Sequence, residues 1–397
     1  MEEIQKGIEH LNERGYAVFS NVLTPEEITN NIDLFWKHLE NLPSPYQIKR
    51  NDAQTWDIAW PGFHHVGIIK NEGIGQSQFT WSVRGNPNVK KIFAQIWQTN
   101  ELLVSFDAVG CFRDWNLNPT WKTISGWYHC DQNPLEKPDR CSIQGFVSLT
   151  DNNEYSGGLV IVPESHKHFD ELRSIAWNND GKVNLVRVSQ GNPLIKQLPP
   201  RLVKCKAGDL VVFDSRCIHC NTPALDTNDK IEKIASLHQD KSPRLLRIVA
   251  YVSMSPTSMV PHDKLEEFRR AREEFVRNRI TCSHWAAELN IASGPSSGMK
   301  QPLKLSAYQR SLIIGSNVDP DDGTTETSFY VPNLYLSCPI SIITAKILRA
   351  SVGPRSTSGT GINYSYHQVC KAPGLPTLSI HDIQNDEPKS LTEIAQH

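Results

Sequence analysis

The chain has no surplus of charge of either sign and no long apolar run. Its 41 Lys and Arg stand against 43 Asp and Glu, a formal net charge of −2. That balance supplies neither the basic field nucleic acid calls for nor an acidic tail. No stretch approaches 18 consecutive apolar residues, so no membrane span is expected. The opening Met1-Glu2-Glu3-Ile4-Gln5-Lys6 is polar and acidic with no apolar segment behind it, and a signal peptide is not expected. Nine cysteines, an odd number, lie scattered along the chain, which suggests reduced thiols in a cytoplasmic protein. No internal repeat is evident. What is left is an ordinary globular balance, 39% hydrophobic and 21% charged over 397 residues, enough for one large domain or two of common size.

Taken in order, residues 2–14 read as an amphipathic helix and 16–20 as a strand. Thr24-Pro25-Glu26-Glu27 then starts a helix well, with Thr at the N-cap, Pro at the first position and Glu three residues after the cap. Residues 43–80 read as aromatic loops, 88–97 as a helix and 102–109 as a strand. From 121 to 255 short strands recur between turn residues: 127–131, 142–149, 159–162, 185–188, 201–205, 210–213 and 246–254. That pattern favours a sandwich or barrel over a βαβ fold. The expected class is mainly β with flanking helices, around a double-stranded β-helix (a jelly roll, cupin-like) at about 100–256. Residues 263–279 read as a charged helix with a solvated face. A domain is expected over 1–285. Residues 286–397, rich in Ser, Thr, Gly and Pro, read as a partly disordered extension without a convincing periodic element over 293–330.

The chemistry starts at Gly126-Trp-Tyr-His129-Cys-Asp131. On an extended strand residues i and i+2 share a face, so His129 and Asp131 can reach one ion. A second His would complete the 2-His-1-carboxylate triad that holds Fe(II) on one face and leaves the other open. His219 is the candidate, at the far end of the apolar strand that follows Gly208-Asp209. A third strand, Arg244-Leu-Leu-Arg247-Ile-Val-Ala-Tyr251, alternates so that Arg247, Val249, Tyr251 and Ser253 share a face. An Arg among apolar strand residues is costly to bury without an anion, and a dicarboxylate would satisfy its guanidinium fork.

His129-x-Asp131, then Gly157-Gly-Leu-Val-Ile-Val-Pro-Glu-Ser-His-Lys167, then Gly208-Asp-Leu-Val-Val-Phe-Asp-Ser-Arg-Cys-Ile-His219, then Arg247 resembles the phytanoyl-CoA dioxygenase family. The resemblance runs over roughly 10–285. It implies a jelly-roll oxygenase that uses Fe(II), 2-oxoglutarate and O₂. His129, Asp131 and His219 would be the metal ligands and Arg247 the anchor for 2-oxoglutarate. The family's Arg usually follows the distal His by about ten residues; here the gap is 247 − 219 = 28, spanned by a polar insert at 226–242. Arg244 is therefore a rival to Arg247, which is preferred because it lies within the strand and in phase with Tyr251. The family's Pro-Gly-Ser-His turn reads Pro163-Glu-Ser-His166. Gln144 and Phe146 share a strand face where the family places a cosubstrate contact. Trp127 shares the face of His129. Trp81 and Arg84 precede the core, where such enzymes gather substrate contacts.

The reaction implied is oxidative decarboxylation of 2-oxoglutarate to succinate and CO₂, coupled to hydroxylation or related C–H oxidation of a small organic molecule. Asp131 is retained, which sets the chain apart from halogenating relatives that lack the carboxylate. Two alternatives stay open: a non-catalytic metal- or ligand-binding jelly roll, and a zinc hydrolase built on the same three ligands. No nucleic-acid or membrane partner is expected, and no basic pocket for a CoA phosphate stands out.

Overall fold

A computed structural model describes residues 2–57, 60–115, 117–176, 184–223, 245–296, 303–318, 320 and 327–329. In chain order, α1 (Glu2–Arg14), β1 (Tyr16–Phe19) and α2 (Pro25–Glu40) come first. Thr24 caps α2 in a full capping box with Glu27, as the Thr-Pro-Glu-Glu run predicts. β2 (Gly62–Phe63), β3 (Ile68–Ile69), α3 (Gln78–Arg84) and α4 (Pro87–Trp97) follow. The roll is then built from β4 (Leu102–Val104), β5 (Val109–Arg113), β6 (His129–Cys130), β7 (Ile143–Ser148) and β8 (Gly158–Ile161). After α5 (Arg173–Ala176) come β9 (Val186–Arg187), α6 (Pro193–Gln197), β10 (Arg201–Leu202), β11 (Leu210–Asp214), β12 (His219–Thr222), β13 (Leu245–Tyr251) and β14 (Met254–Pro256). α7 (Leu265–Arg277), β15 (Thr281–Cys282), β16 (Ile291–Ser293), β17 (Leu303–Leu305), α8 (Ala307–Ile314) and β18 (Thr327–Phe329) complete the described chain.

A seven-stranded sheet in the order β1-β11-β7-β13-β5-β3-β2 faces a five-stranded sheet in the order β10-β8-β12-β6-β9. Period-two alternation sorts the side chains of both. Ile143, Val147, Leu210, Val212, Ile248 and Ala250 point outward from the large sheet into a core shared with α2, α3, α4 and α7. Phe146, Val211, Phe213 and Val249 point inward and meet Leu159 and Ile161 of the small sheet. Cys130, Val162, Val186 and Ile218 form the outer face of the small sheet, covered by Phe169, Leu172 and Leu194. The interior between the sheets is the jelly-roll core, as expected. Among the described residues no helix is long and apolar enough to cross a membrane.

Three expectations are corrected. The strand read over 102–109 breaks into β4 and β5, with 105–108 between them; β4 pairs with β14 while β5 pairs with β13, so one apolar run serves two ladders. The charged helix α7 is not simply a solvated face. Arg272 is fully buried and donates to the carbonyls of Ile313, Ala286 and Val104. Most of all, 293–330 is not without regular structure. β17 and α8 dock on the core with Leu303, Leu305, Leu312 and Ile313 all buried. Ser306 caps α8 in a capping box with Gln309, and Gly315 closes it in the left-handed region, punctuation that the Ser/Gly-rich composition hides. The insert at 226–242, with Arg244, lies outside the described residues, as does nearly all of the chain beyond 320.

Candidate active site

β6 and β12 bring the two candidate histidines face to face: His219 pairs directly with His129 across the ladder. Their ring centroids are 4.3 Å apart. Asp131, two residues past His129, turns into the same interior. Its Oδ1 lies 3.6 Å from His129 Nε2 and its Oδ2 3.3 Å from His219 Nε2. One ligand atom from each of the three falls within 4.8 Å of the others. The Nδ1–H of His129 donates to Trp127 O at 3.1 Å, and that of His219 to Cys217 O at 3.0 Å. A carbonyl can only accept, so in each ring Nδ1 carries the proton and Nε2 is the atom turned toward the carboxylate. Burial, reinforced by the neighbouring His219, pushes His129 down to about 4, so at neutral pH it is an uncharged donor. Burial works against ionisation of Asp131, yet His129 and His219 hold its carboxyl well below the ordinary range. Two imidazoles and one carboxylate on a shared face are the donor set a ferrous ion takes, and the residues present fit it.

The surrounding side chains hold that set in place. Gln144, on the inward face of β7, donates Nε2–H to Asp131 Oδ2 at 2.9 Å, so its partner is the carboxylate. Trp127 stacks flat on the His129 ring, centroids 4.8 Å apart and planes 9° from parallel. Phe213 packs against His219 at 4.7 Å. Phe146 is buried in the same interior. Cys217 and Cys220 bracket His219 in a Cys-x-x-Cys spacing, but strand alternation sends them to opposite faces. Burial raises both thiols above their ordinary range, so neither is an activated thiolate.

Arg247 is fully buried in phase with Val249 and Tyr251, on the inner face of β13. Its guanidinium donates to Asn221 Oδ1 at 3.1 Å and to Thr222 O at 3.0 Å, and lies 3.5 Å from the centre of the Phe112 ring. Its Nε is buried without a partner, and it makes no ion pair with a described carboxylate. Burial draws its pKa down to about 9, because desolvation disfavours the charged form. Gly110, on the facing strand, leaves the room that Tyr251 uses: a Cβ there would lie 2.5 Å from Val249 Cγ2 and 3.0 Å from the Tyr251 hydroxyl.

Trp81 and Arg84 do not line this interior. Trp81 is fully buried in the helix-side core, its indole N–H given to Gln76 Oε1 at 2.9 Å. Arg84 spends its guanidinium on the carbonyls of Gly75 and Asp107. Both sit behind the site because α3 packs on the outer face of the large sheet. Elsewhere, His166 Nε2 meets Asn12 O and His168 Nδ1 meets Glu171. One residue was missed by the sequence reading: Asn221, the partner of Arg247, was legible as the residue two past His219, on the same strand face.

Residues 11–223 match the phytanoyl-CoA dioxygenase (PhyH) family, more than half of the chain, and the protein belongs to that family. It is an Fe(II)- and 2-oxoglutarate-dependent oxygenase. Among its relatives, Ava biosynthesis cluster protein O of Aspergillus versicolor is 24% identical over 71% of this chain and 87% of its own length. An ectoine dioxygenase of Streptomyces avermitilis is 25% identical over 36% of this chain and 55% of its own. Among solved structures, the non-haem α-ketoglutarate-dependent carbocyclase of nogalamycin biosynthesis aligns with a TM-score of 0.42 at 16% identity, covering 63% of this chain and 83% of its own.

Proposed function

We propose that His129, Asp131 and His219 hold the ferrous ion and that Arg247 grips the far carboxylate of 2-oxoglutarate. The observation that carries this is the pairing of a converging His, His, carboxylate set with a buried Arg on the same interior that has no described carboxylate of its own. Iron and 2-oxoglutarate, when bound, supply O₂ activation and yield succinate and CO₂ as a substrate C–H bond is oxidised. The chain's own residues do the positioning. The backbone carbonyls of Trp127 and Cys217 fix the imidazole tautomers, and Gln144 holds the carboxylate. Phe146, Phe213 and Trp127 wall the metal side with apolar surface that excludes bulk water. Arg247, held by Asn221 and Thr222 O, waits as a preorganised fork. A zinc hydrolase would leave that Arg unexplained.

The substrate is a small organic molecule of secondary metabolism rather than a CoA ester, and the outcome is hydroxylation or a related C–H oxidation. The oxygenase domain extends past 285 to about residue 318, because β17 and α8 complete its core. A cytoplasmic location goes with its free thiols. The test is anaerobic addition of Fe(II) and 2-oxoglutarate, watched by the visible metal-to-ligand charge-transfer band. A band in the wild type that weakens in Asp131→Ala and Arg247→Ala supports the assignment. Protein that binds iron at His129 and His219 but never develops the band contradicts it.

A further inference from the structure

β11 ends at Asp214 and β12 begins at His219, and residues 215–218 between them carry the chain from the seven-stranded sheet to the five-stranded one. This corner presents three successive carbonyls to the candidate metal site. Ser215 O accepts the backbone N–H of Asp131 at 3.2 Å, Arg216 O the thiol of Cys130 at 3.3 Å, and Cys217 O the Nδ1–H of His219 at 3.0 Å. Two proposed ligands, Asp131 and His219, therefore hang on one short link, together with the residue between His129 and Asp131.

The side chain of Asp214 fixes that link. It is fully buried, and its carboxylate accepts four hydrogen bonds, as many as an ionised carboxylate has acceptor sites. Oδ1 takes the backbone N–H of Arg216 at 3.0 Å and its Nε–H at 2.9 Å. Oδ2 takes a terminal guanidinium N–H of Arg216 at 2.8 Å and the Nε–H of Arg140, also at 2.8 Å. Arg216 thus grips with both prongs of its fork and folds the corner back on its first residue. Arg140 ties the same carboxylate to α1 by donating to Asn12 Oδ1 at 2.7 Å. The α1–β1 link closes the far side. Gly15 O accepts the Asp214 N–H at 2.9 Å, and a Cβ on Gly15 would lie 2.2 Å from Cys217 Sγ.

Stability alone does not call for this arrangement. Enclosing a carboxylate between two guanidiniums costs desolvation, and packed apolar residues often serve a fold as well or better. What a bidentate pair supplies is fixed direction. The corner also sets the gap between the sheets at the end where the candidate ligands meet. Phe213, the residue before Asp214, pairs with Gln144 across β11 and β7. Gln144 reaches Asp131 from the large sheet, while His129 and His219 come from the small one. We propose that Asp214 is a positioning residue of the metal site: with Arg216 and Arg140 it clamps the corner so that Ser215 O and Cys217 O hold Asp131 and His219 on their shared face. This inference rests on the metal-site assignment above.

The experiment titrates the full metal-free chain with Mn(II) alone and follows the bound ion by electron paramagnetic resonance. Wild type and His219→Ala set the scale. Asp214→Asn keeps an oxygen for the Arg216 N–H but loses the charge and the second acceptor oxygen. It is expected to bind Mn(II) about tenfold more weakly, the lower end of what an outer-shell partner is worth, and to give broader lines from a less uniform ligand geometry. Arg216→Lys keeps the charge without the fork. It is expected to fall between Asp214→Asn and wild type, and it carries the test if the Asn variant does not fold. Leu312→Ala and Ile313→Val, in the core beneath α8, control for lost stability: they should lower the thermal midpoint and leave affinity and line shape unchanged. Wild-type affinity and line shape in the folded Asp214 and Arg216 variants overturn the inference, and so does an equal loss in the core controls. If wild type and His219→Ala take up Mn(II) alike, the metal-site assignment falls and takes this inference with it. If His219→Ala alone loses the ion, the assignment stands and only the role of Asp214 is at stake.

Discussion

His129 and His219 stand directly opposite one another on the β6–β12 ladder, and each ties its Nδ1 to the carbonyl two residues before it. The face proposed for the metal is therefore set by backbone, the stiffest part of the fold, and Asp131 is the proposed ligand that a side chain, Gln144, bonds. Ferrous or manganous ion should raise the thermal midpoint of the metal-free protein by a few degrees, since a ligand at a hundred times its Kd adds about 2.7 kcal/mol. Asp131→Ala and His219→Ala should lose that rise. Gln144→Leu should keep it but need about 10–100-fold more metal, the usual cost of an outer-shell partner. A Gln144 variant with wild-type metal affinity would mean that Asp131 is oriented by something else.

On the proposed assignment, Arg247 separates cosubstrate binding from metal binding. Its guanidinium lies across Phe112 with Asn221 and Thr222 O as partners, away from the ligand set. Arg247→Leu should bind iron like the wild type and lose 2-oxoglutarate affinity by 2 kcal/mol or more, about thirtyfold. Arg247→Lys should recover only part of it, because an ammonium lacks the planar fork. If Arg247→Leu binds 2-oxoglutarate normally, the anchor is another cation, and Arg244 becomes the residue to test.

Asp107 makes a pH prediction that needs neither metal nor substrate. Burial, with added repulsion from Asp131, raises its carboxyl to about 7, against a partial offset from the Ala108 N–H and Arg84. The folded protein thus holds a proton that the unfolded chain has released between about pH 4 and pH 7. Stability falls as pH rises through that window, because the native state binds more protons there. Below the window both states are protonated and nothing is lost. Asp107→Asn should therefore be more stable than wild type at pH 8, by an amount on the order of a few kcal/mol, and equal to it near pH 4. Urea titrations of the metal-free proteins at both pH values decide this. A variant less stable at pH 8 would show that the ionised carboxylate is already satisfied.

Much of the site was legible because strand alternation carries it. His129 and Asp131, then Arg247 and Tyr251, then Gln144 and Phe146 all fall inward as period two demands. What alternation cannot show is which groups enter from outside the strands. Asp107 falls in a break in an apolar run that reads as one strand, and His284 follows a segment whose Cys282 N–H donates to Phe106 O and whose Thr281 Oγ1 accepts the Gly75 N–H. Trp81 and Arg84 misled for the converse reason. An aromatic and a cation near a site read as contacts, whereas here they are buried behind it and bonded to main chain and to Gln76. Propensity also failed for 303–315. Two short elements amid Ser, Gly and Pro have no pattern long enough to stand out, yet Leu303, Leu305, Leu312 and Ile313 are buried.

That last segment yields the sharpest test of where the domain ends. Leu303, Leu305, Leu312 and Ile313 are each buried to within 1% of complete, and removing them uncovers their partners on β4, α3 and α7. At about 1.5–3 kcal/mol per buried aliphatic side chain, the loss is on the order of 6–12 kcal/mol, comparable with the whole stability of a typical domain. Arg272 would also lose Ile313 O, Thr257 would lose Gly315 O, and the main chain at Trp81 would lose Gln309. A buried guanidinium stripped of an acceptor adds further cost. A chain stopped at residue 290 should therefore be insoluble or lack a cooperative thermal transition, although it keeps His129, Asp131, His219 and Arg247. If it instead unfolds cooperatively near the full-length midpoint and binds iron equally well, β17 and α8 are appendages, and the oxygenase domain ends before them.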